Sequence, residues 1–267
     1  MSRKAAENDV ASAQIRGARD YQEDSLEIQL LAPDAGIHAN ELLLVLADGM
    51  GGHAGGEVAS RLVVEHFCAA YRDSIEGMIE ALRGSLARAN EVLAGAVAHE
   101  PRLDGMGTTL VGCVVKENSL CWISVGDSPL WVYRGGSLRR LNADHSMVPL
   151  LEQMAGAGEL SLEEVATDPR RSLLRSALTG KAVDLVDLCD QPFRLEAGDI
   201  VMLASDGIET LAENDLTALL QDADVLSMEE LARKLLAGVK AAGRPYQDNA
   251  SVILYRSANP EKGVRNL

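Results

Sequence analysis

Five aspartates stand where apolar stretches of the sequence begin or end. Three of them close a run: LLLVLAD ends at Asp48, CWISVGD at Asp127 and IVMLASD at Asp206, and glycine or serine follows each one. Asp24 and Asp248 instead precede the apolar stretches SLEIQLL and ASVILYR. A buried carboxylate is costly unless it is paired or bound to a metal, and several that converge from distant segments repel one another. The recurrence therefore predicts a cation site.

The donor atoms in this set indicate which cation would bind. They are all oxygens, and no cluster of histidine or cysteine accompanies them, which favours Mg²⁺ or Mn²⁺ over zinc. Gly49 adds a carbonyl that no side chain shields. Two ions that share Asp48, about 3.5–4 Å apart, would suit in-line displacement at phosphorus. Arg19, four residues before Glu23, would then orient the phosphate with its guanidinium fork.

The stretch ADGMGGHAGG also permits a different hypothesis, a dinucleotide site. Gly49, Gly51 and Ala54 fit a loose G-x-G-x-x-A pattern. A Rossmann unit requires a strand, a helix and a parallel strand, with an acidic residue about 20 positions after the glycines. The sequence instead predicts two successive helices after the loop, and it contains no G-K-[ST] for a P-loop. The order of elements therefore argues against a nucleotide site.

The elements that position these residues can be predicted from periodicity. Loose alternation of apolar residues predicts strands at 11–16 and 25–31, and the length and composition of the apolar run at 41–47 predict a buried strand. Further strands are expected at 183–188, 199–204 and 251–256. Two successive helices are expected after residue 56, the first with an apolar face from Val58 to Phe67 and the second with an apolar stripe from Ile75 to Val97. Two more helices are expected at 213–220 and 228–241. Residues 107–142 predict an antiparallel meander, and residues 146–182 an irregular, mobile flap. This order favours antiparallel sheets covered by helices.

The composition and charge of the chain disfavour several kinds of partner and of cellular location. The 267 residues are 47% hydrophobic and only 3% aromatic, so the core must be aliphatic. The net charge of −15 disfavours nucleic acid and anionic membranes. No stretch approaches 18 apolar residues and the N-terminus does not read as a signal peptide. The four cysteines lack CxxC spacing and are expected to be buried free thiols. We therefore expect a cytoplasmic monomer with no membrane or nucleic-acid partner.

The motifs resemble, in order, those of the PP2C (PPM) family of metal-dependent serine/threonine phosphatases, particularly its short bacterial members. RDYQED, LLLVLADGMGGHAGGEVAS, GMGTTLVG, ISVGDSPLWVYRGGSL, ASDGIETL and DNASVIL carry the resemblance across residues 11–256. The resemblance implies an α+β fold, a four-layer αββα sandwich of two antiparallel sheets flanked by helix pairs. It places a single domain at 11–256 with the flap at about 146–182, a flexible N-terminus at 1–10 and a tail at 257–267.

The same resemblance implies a role for each matching residue. Asp48, Asp206 and Asp248 would bind the first metal, whereas Asp48, the Gly49 carbonyl and Glu23 would hold the second. Asp127, with Asp206, would match a third-metal site. Arg19 would contact the phosphate, Asp24 would orient water at the metals, and Asn249 would orient Asp248 or a bound water. The resemblance thus implies that Arg19, Asp24 and Asp48 are the catalytic residues. It implies two Mn²⁺ or Mg²⁺ ions as cofactors, with room for a third.

One departure concerns the proton donor. Many eukaryotic relatives have histidine directly after the Asp-Gly pair, where this sequence has Met50, so the general acid is not assigned; His53 is close in sequence. The expected function is hydrolysis of phosphoserine and phosphothreonine in proteins by water that a binuclear centre activates. Its expected partners are phosphorylated proteins, with a cognate Ser/Thr kinase or that kinase's targets. The alternatives are a phosphohydrolase of a small metabolite and a phosphoprotein-binding relative without turnover.

Overall fold

The computed structural model describes residues 9–51 and 55–257. Its strands are β1 (Val10–Ile15), β2 (Asp24–Leu30), β3 (Leu42–Met50), β4 (Gly107–Thr108), β5 (Leu110–Lys116), β6 (Ser119–Val125), β7 (Leu130–Arg134), β8 (Ser137–Arg140), β9 (Asp187–Leu188), β10 (Phe193–Arg194), β11 (Ile200–Ala204) and β12 (Ala250–Arg256). Its α-helices are α1 (Gly55–Asp73), α2 (Met78–His99), α3 (Val148–Gly156), α4 (Leu162–Thr167), α5 (Glu213–Leu220) and α6 (Met228–Ala241). Short 3₁₀ turns cover Gly36–His38, Pro101–Leu103, Asp206–Thr210 and Gln221–Asp224.

The strands form two sheets in which every pairing is antiparallel. One sheet has the order β1-β12-β11-β7-β8, and the other has the order β10-β6-β5-β3-β2, with β4 added to β3 and β9 to β6. Strand β2 pairs with β3 in a register that sets Asp24 opposite Asp48. In the other sheet β12 lies between β1 and β11. The register of β2 and β3 therefore brings two of the sequence-predicted site residues side by side.

Strand β3 shows how the layers are built. Its side chains alternate between two clusters: Leu43 and Val45 pack toward helices α1 and α2, whereas Leu44 and Leu46 pack toward the other sheet. Because both faces are covered, the strand reads as an unbroken apolar run rather than an alternating one. In the other sheet, Met202 of strand β11 packs against α5 and α6 in a separate apolar cluster.

Three apolar clusters therefore separate four layers: a helix pair, a sheet, a second sheet and a second helix pair. This arrangement confirms the predicted αββα sandwich. Helix α6 begins with a capping box, in which the Ser227 hydroxyl accepts a hydrogen bond from the Glu230 N–H and the Glu230 side chain reaches back to the Ser227 N–H. Among the described residues, no helix is long and apolar enough to cross a bilayer.

Several sequence predictions need correction. Ile75 does not belong to the stripe of α2, because the helix begins at Met78 and Ile75 is almost fully exposed. Residues 107–142 are not one meander: β5 and β6 form a hairpin in one sheet, and β7 and β8 form a hairpin in the other. The Asp127-Ser128 turn therefore carries the chain from sheet to sheet, and periodicity alone cannot distinguish that crossing from an ordinary hairpin turn.

The predicted flap is less irregular than the sequence suggests. It contains α3 and α4, and α4 has its own capping box at Ser161 and Glu164. Of the strand expected at 183–188, only Asp187–Leu188 pairs with a neighbour, on β6. Residues 1–8 of the expected flexible N-terminus (1–10), residues 258–267 of the expected tail (257–267), and His53 lie outside the described residues, so the expectations for them remain predictions.

Candidate metal centre

The predicted site residues meet at one end of the sandwich. A cavity of about 830 Å³ opens there, and seven of the nine predicted residues line it: Arg19, Glu23, Asp48, Gly49, Asp127, Asp206 and Asp248. The other two, Asp24 and Asn249, are buried behind it. Flap residues between 172 and 179 form another part of its wall, and the rest comes from Asp20, Tyr21, Met50, Gly51 and Thr109. The structure thus joins segments that are more than 200 positions apart in the chain.

Asp48 is held at the end of β3 by hydrogen bonds to its backbone. Its N–H donates to the Thr109 hydroxyl at 3.0 Å, and its carbonyl accepts from the Thr109 N–H at 2.9 Å and the Thr108 hydroxyl at 2.8 Å. The pKa of the Asp48 carboxyl is raised well above its usual range, first by burial and then by the surrounding aspartates, of which Asp24 contributes most. The backbone of Asp48 is therefore fixed in place, and its carboxyl is surrounded by like charge.

Asp24 lies beneath the cavity and links the two sheets. Its Oδ2 accepts hydrogen bonds from the hydroxyls of Ser205 at 2.8 Å and Ser251 at 2.6 Å, which belong to the opposite sheet. Its Oδ1 is buried and has no hydrogen-bond partner among the described residues. Burial raises the Asp24 pKa to about 6, although the two serines oppose that rise. One oxygen is thus anchored, and the other retains its capacity to accept a hydrogen bond.

Gly49 and Gly56 pack against Glu23 and against each other so closely that neither position has room for a side chain. A Cβ on Gly49 would lie 2.1 Å from the Gly56 carbonyl oxygen, and one on Gly56 would lie 2.3 Å from Glu23 Oε1. That oxygen is buried without a hydrogen-bond partner in the described part of the chain. Burial is the main cause of the raised Glu23 pKa. The glycines therefore let a carboxylate and a bare backbone approach each other.

Asp206 and Asp248 come from neighbouring strands of the other sheet. Asp206 follows β11 and begins a 3₁₀ turn, whereas Asp248 precedes β12. Burial, followed by the charge of Asp248, raises the Asp206 pKa, and a hydrogen bond with the Asp48 carboxyl opposes the rise. Gly207 keeps the two loops in contact, because a Cβ there would lie 1.9 Å from the Asn249 carbonyl oxygen.

Arg19 has a contact that the sequence did not predict. Its Nη2 donates to Asp248 Oδ2 at 2.5 Å, and about half of its side chain is exposed at the mouth of the cavity. The expected phosphate-binding arginine is therefore paired with an expected metal ligand. In this exposed position the ion pair is worth little by itself, so an incoming anion can exchange for the carboxylate.

Asp127 lies at the far side of the cavity, in the turn that crosses between the sheets. Its pKa is raised to about 7, first by burial and then by the charges of Asp206 and Asp144. Arg140 donates to the Asp127 carbonyl at 2.6 Å and pairs with Asp144 and Glu209. Asp127 and Asp206 are thus near enough to influence each other, as the predicted third site requires.

Asn249 is expected to orient Asp248 or a bound water, and its side chain bonds to backbone groups of the loop that carries Arg19 and Glu23. Its Oδ1 accepts from the Glu23 N–H at 2.7 Å, and its Nδ2 donates to the carbonyls of Arg16 at 2.8 Å and Tyr21 at 3.0 Å. Only its backbone N–H reaches Asp248, at Oδ1. Asn249 therefore secures the loop that carries Arg19 and Glu23, because a side-chain amide can bind several backbone groups at once.

The donor set fits a hard divalent cation, although its side chains are not arranged as a finished metal site. Within residues 9–51 and 55–257, no group of three or more His, Cys, Asp or Glu side chains stands ready to hold an ion, and Asp248 is paired with Arg19. A divalent cation would bind these oxygen donors and offset the charge of buried carboxylates whose pKa values are raised. It would also give a partner to the buried oxygens of Glu23 and Asp24 that have no hydrogen bond among the described residues.

Several supporting residues carry no obvious signal in the sequence. They are Ser205 and Ser251, which hold Asp24, Thr108 and Thr109, which hold Asp48, and Arg140, which holds the Asp127 turn. Ser251 lies two positions after Asn249, so strand alternation could have indicated that these two share a face, whereas Ser205 directly precedes Asp206 and alternation gives no such signal for it.

This chain belongs to the protein phosphatase 2C family. The sequence model of that family matches residues 29–243, which confirms the predicted membership. The chain is 34% identical over 219 residues to the serine/threonine protein phosphatase PstP of Mycobacterium tuberculosis, covering 82% of this chain but only 41% of PstP. It is 30% identical to the serine/threonine phosphatase stp of Listeria monocytogenes, covering 84% of this chain and 88% of that protein.

Solved structures give the same result. The crystal structure of the Mycobacterium tuberculosis phosphatase PstP/Ppp superposes with a TM-score of 0.77 at 30% identity, covering 94% of this chain and 98% of that one. The catalytic domain of PstP in complex with 2 manganese ions superposes with a TM-score of 0.75 at 29% identity, over the same shares of the two chains. The predicted fold and family are therefore confirmed.

Proposed function

We propose that this protein is a metal-dependent phosphatase that hydrolyses phosphoserine and phosphothreonine in proteins. The observation that carries the proposal is the gathering of Glu23 and four aspartates in one cavity with Arg19 at its mouth. The relatives that bear the name serine/threonine phosphatase support the same reaction class.

The acidic residues would divide between two cations, Mn²⁺ or Mg²⁺. Asp48, Asp206 and Asp248 would hold one ion, and Asp48, the Gly49 carbonyl and Glu23 the other. Asp127 with Asp206 would hold a third. When bound, such a pair supplies a nucleophilic water and neutralises charge on the phosphoryl group. The manganese-bound PstP structure supports this choice of ion.

The chain's own residues prepare the site for that pair. Thr108 and Thr109 fix the position of Asp48, and the two serines fix Asp24 so that its Oδ1 remains available. Positioning groups before substrate arrives lowers the entropy cost of the reaction. Asp24 would orient water by hydrogen bonding through Oδ1.

Arg19 would change partners when substrate binds. It is half exposed and paired with Asp248, and a phosphoryl group offers two oxygens to the same guanidinium fork. Asp248, released from the arginine, would be free to ligate a cation. Binding of phosphate and formation of the complete metal site would therefore favour each other.

The shape of the mouth favours a protein substrate over a small metabolite. Tyr21 is 52% exposed and Leu173 is 56% exposed, and both line the cavity. Exposed apolar side chains at the rim of a site suit contact with residues that flank a phosphorylated side chain. A metabolite phosphatase would be expected to enclose its substrate more fully.

The test compares a phosphothreonine peptide, an aryl phosphate and a set of phosphorylated metabolites, each with Mn²⁺ and with chelator. We expect turnover of the first two with Mn²⁺ and none with chelator. Asp206→Asn should abolish turnover, whereas Asp190→Asn, an exposed aspartate outside the cavity, should not. Faster turnover of a metabolite would support the metabolite phosphatase instead, and metal-loaded protein that binds phosphopeptide without turnover would support a binding role.

The natural partners follow from the same proposal. A phosphatase of this class would oppose a serine/threonine kinase and would act on that kinase's targets. A phosphate-trapping variant such as Asp206→Asn, used with crosslinking, would identify them. The cytoplasmic location and the monomeric state expected from the sequence stay predictions.

A further inference from the structure

We propose that Asn90, on the helix α2, is a positioning residue that sets the flap wall of the active site and thereby the affinity for phosphopeptide substrates. The inference rests on the proposed function for its substrate. Its structural basis is a series of contacts that leads from α2 to the backbone of Asp48.

The first contact is a two-point hydrogen bond from Asn90 to the flap backbone. Asn90 Nδ2 donates to the Lys181 carbonyl at 2.7 Å, and Asn90 Oδ1 accepts from the Gly180 N–H at 2.9 Å. A primary amide can satisfy a donor and an acceptor at the same time. This pair of bonds fixes both the position and the orientation of the corner at residues 180–181.

The second contact is direct packing of the same corner on the helix. Gly180 has a φ of +76°, and a Cβ there would lie 2.6 Å from the backbone of Ala94. Ala94 is four residues after Asn90, so both lie on one face of α2. Together they form a seat that only glycine fits, because a side chain would meet the helix backbone and a left-handed φ disfavours other residues.

The corner is continuous with the wall of the active-site cavity. Ala177 and Thr179 line that cavity, and Leu178 between them is fully buried. Leu178 and Thr108 exchange two backbone hydrogen bonds, each 2.9 Å long. The Thr108 hydroxyl in turn donates to the Asp48 carbonyl at 2.8 Å. The wall is therefore held between α2 on one side and the strand of a metal ligand on the other.

Residues 168–186 contain no helix or named strand, so individual contacts hold this part of the flap. Besides the Leu178–Thr108 pair, the Ser176 hydroxyl bonds to the backbone of Leu185, and Arg175 bonds to the carbonyls of His145 and Ser146; none of these contacts reaches residues 180–181. Loss of the Asn90 bonds would therefore let the 177–181 segment sample other positions. Only the fraction of molecules with the wall in place would bind the residues that flank the phosphate, and the apparent affinity falls with that fraction.

This positioning should affect peptide substrates and spare the reacting centre. The Asp48 backbone keeps its own bonds to Thr109 when Asn90 is changed. For Asn90→Ala, we expect KM for a phosphothreonine peptide to rise about fivefold to thirtyfold, the effect of losing two hydrogen bonds, with kcat within about twofold. The values for a small aryl phosphate, which does not reach the wall, should stay within about twofold of wild type.

The experiment uses the full chain and a second readout that needs no turnover. Steady-state kinetics with Mn²⁺ are measured for wild type, Asn90→Ala, Asn90→Asp and Arg88→Ala, together with amide hydrogen exchange at residues 177–181 in chelator. Asn90→Asp keeps the acceptor for Gly180 and should show a smaller rise in KM. Arg88→Ala, which loses only an exposed ion pair with Glu91 on the same helix, should behave like wild type.

Faster exchange at Leu178 and Gly180 together with the KM rise would support the proposal. Unchanged exchange, or an equal loss for peptide and aryl phosphate, would overturn it. If Asn90→Ala fails to fold, Gly180→Ala disturbs the same seat from the flap side, and a normal KM for that variant would also overturn the inference. Wild-type protein without any phosphatase activity would refute the proposed function, while the exchange data would still decide whether Asn90 holds the wall.

Discussion

The buried carboxylate of Asp24 gives the sharpest prediction about how the site is supported. Ser251→Ala removes one hydroxyl that donates to Asp24 Oδ2, and Ser205→Ala removes the other. A hydrogen bond to a charged group is worth about 1.5–3 kcal/mol, so Ser251→Ala should lower the free energy of unfolding by about that amount at pH 8. Ser205→Ala should cost about 1–3 kcal/mol more, because the buried Ser251 N–H loses its acceptor, whereas the Gln14 amide, which Ser251→Ala deprives of an acceptor, is exposed and can bond to water.

The pH dependence follows from the direction of the Asp24 pKa shift. Its folded-state pKa of about 6 lies above the unfolded value of about 3.9, so ionisation of Asp24 costs stability as the pH rises from about 4 to 6. The serine hydroxyls oppose that cost by favouring the charged form. At pH 5 the folded carboxyl is mostly protonated, and each substitution should then cost only about 1 kcal/mol, as for a neutral hydrogen bond.

The assay is reversible urea unfolding at pH 5 and pH 8, in chelator so that only the protein's own groups contribute. Ser12→Ala, at an exposed position on β1, is the control and should change stability by less than about 0.5 kcal/mol. The double variant should cost less than the sum of the two at pH 8, because without donors Asp24 stays protonated. Equal effects of Ser251→Ala at the two pH values would refute this account of Asp24.

Three further predictions concern other contacts. Glu41→Gln should lower the free energy of unfolding by about 3 kcal/mol and Tm by about 6–12 °C, because the buried Glu41 carboxylate binds His38, Tyr71 and Lys116. Its kcat should be unchanged, since Glu41 lies just before β3, at the end of the strand opposite to Asp48, and a large fall in kcat would contradict this. Gly207→Ala should lower the free energy of unfolding by more than about 2 kcal/mol and remove phosphatase activity, because its Cβ would lie 1.9 Å from the Asn249 carbonyl oxygen. The control Gly84→Ala, in open space on α2, should leave Tm unchanged or raise it in the same thermal unfolding measurements. Millimolar Mn²⁺ should raise the wild-type Tm by binding the folded state and should raise that of Asp48→Asn much less; equal shifts would count against the metal assignment.

The sequence predicted the site better than it predicted the connections around it. Each aspartate stands at the edge of an apolar run, and antiparallel pairing of a run that begins at an aspartate with one that ends at an aspartate brings the two to the same end of the sandwich. Periodicity does not show which sheet a strand joins, so the separation of β5–β6 from β7–β8 could not be foreseen. The same limit applies to Leu42–Ala47, where both faces are buried and the apolar run gives no alternation to interpret.

Supporting contacts were missed for a different physical reason. Asn90 lies among the polar residues of an amphipathic helix, and only the tertiary structure shows that its amide meets the flap corner. The pairing of Arg19 with Asp248, and the hold of Asn249 on the loop that carries Arg19, likewise depend on distances between segments far apart in the chain. Residue types identified the chemistry, whereas the fold decides which groups restrain it.

The central claim is that Asp48 and its neighbours form a binuclear metal centre, and calorimetric titration of Mn²⁺ into wild type and Asp48→Asn tests it most directly. We expect about two ions per wild-type chain at the main site, and a loss of tight binding at both positions in the variant, because Asp48 would be shared between them. Tight binding of the same number of ions by Asp48→Asn, in a variant that retains the wild-type fold by circular dichroism, would contradict the account.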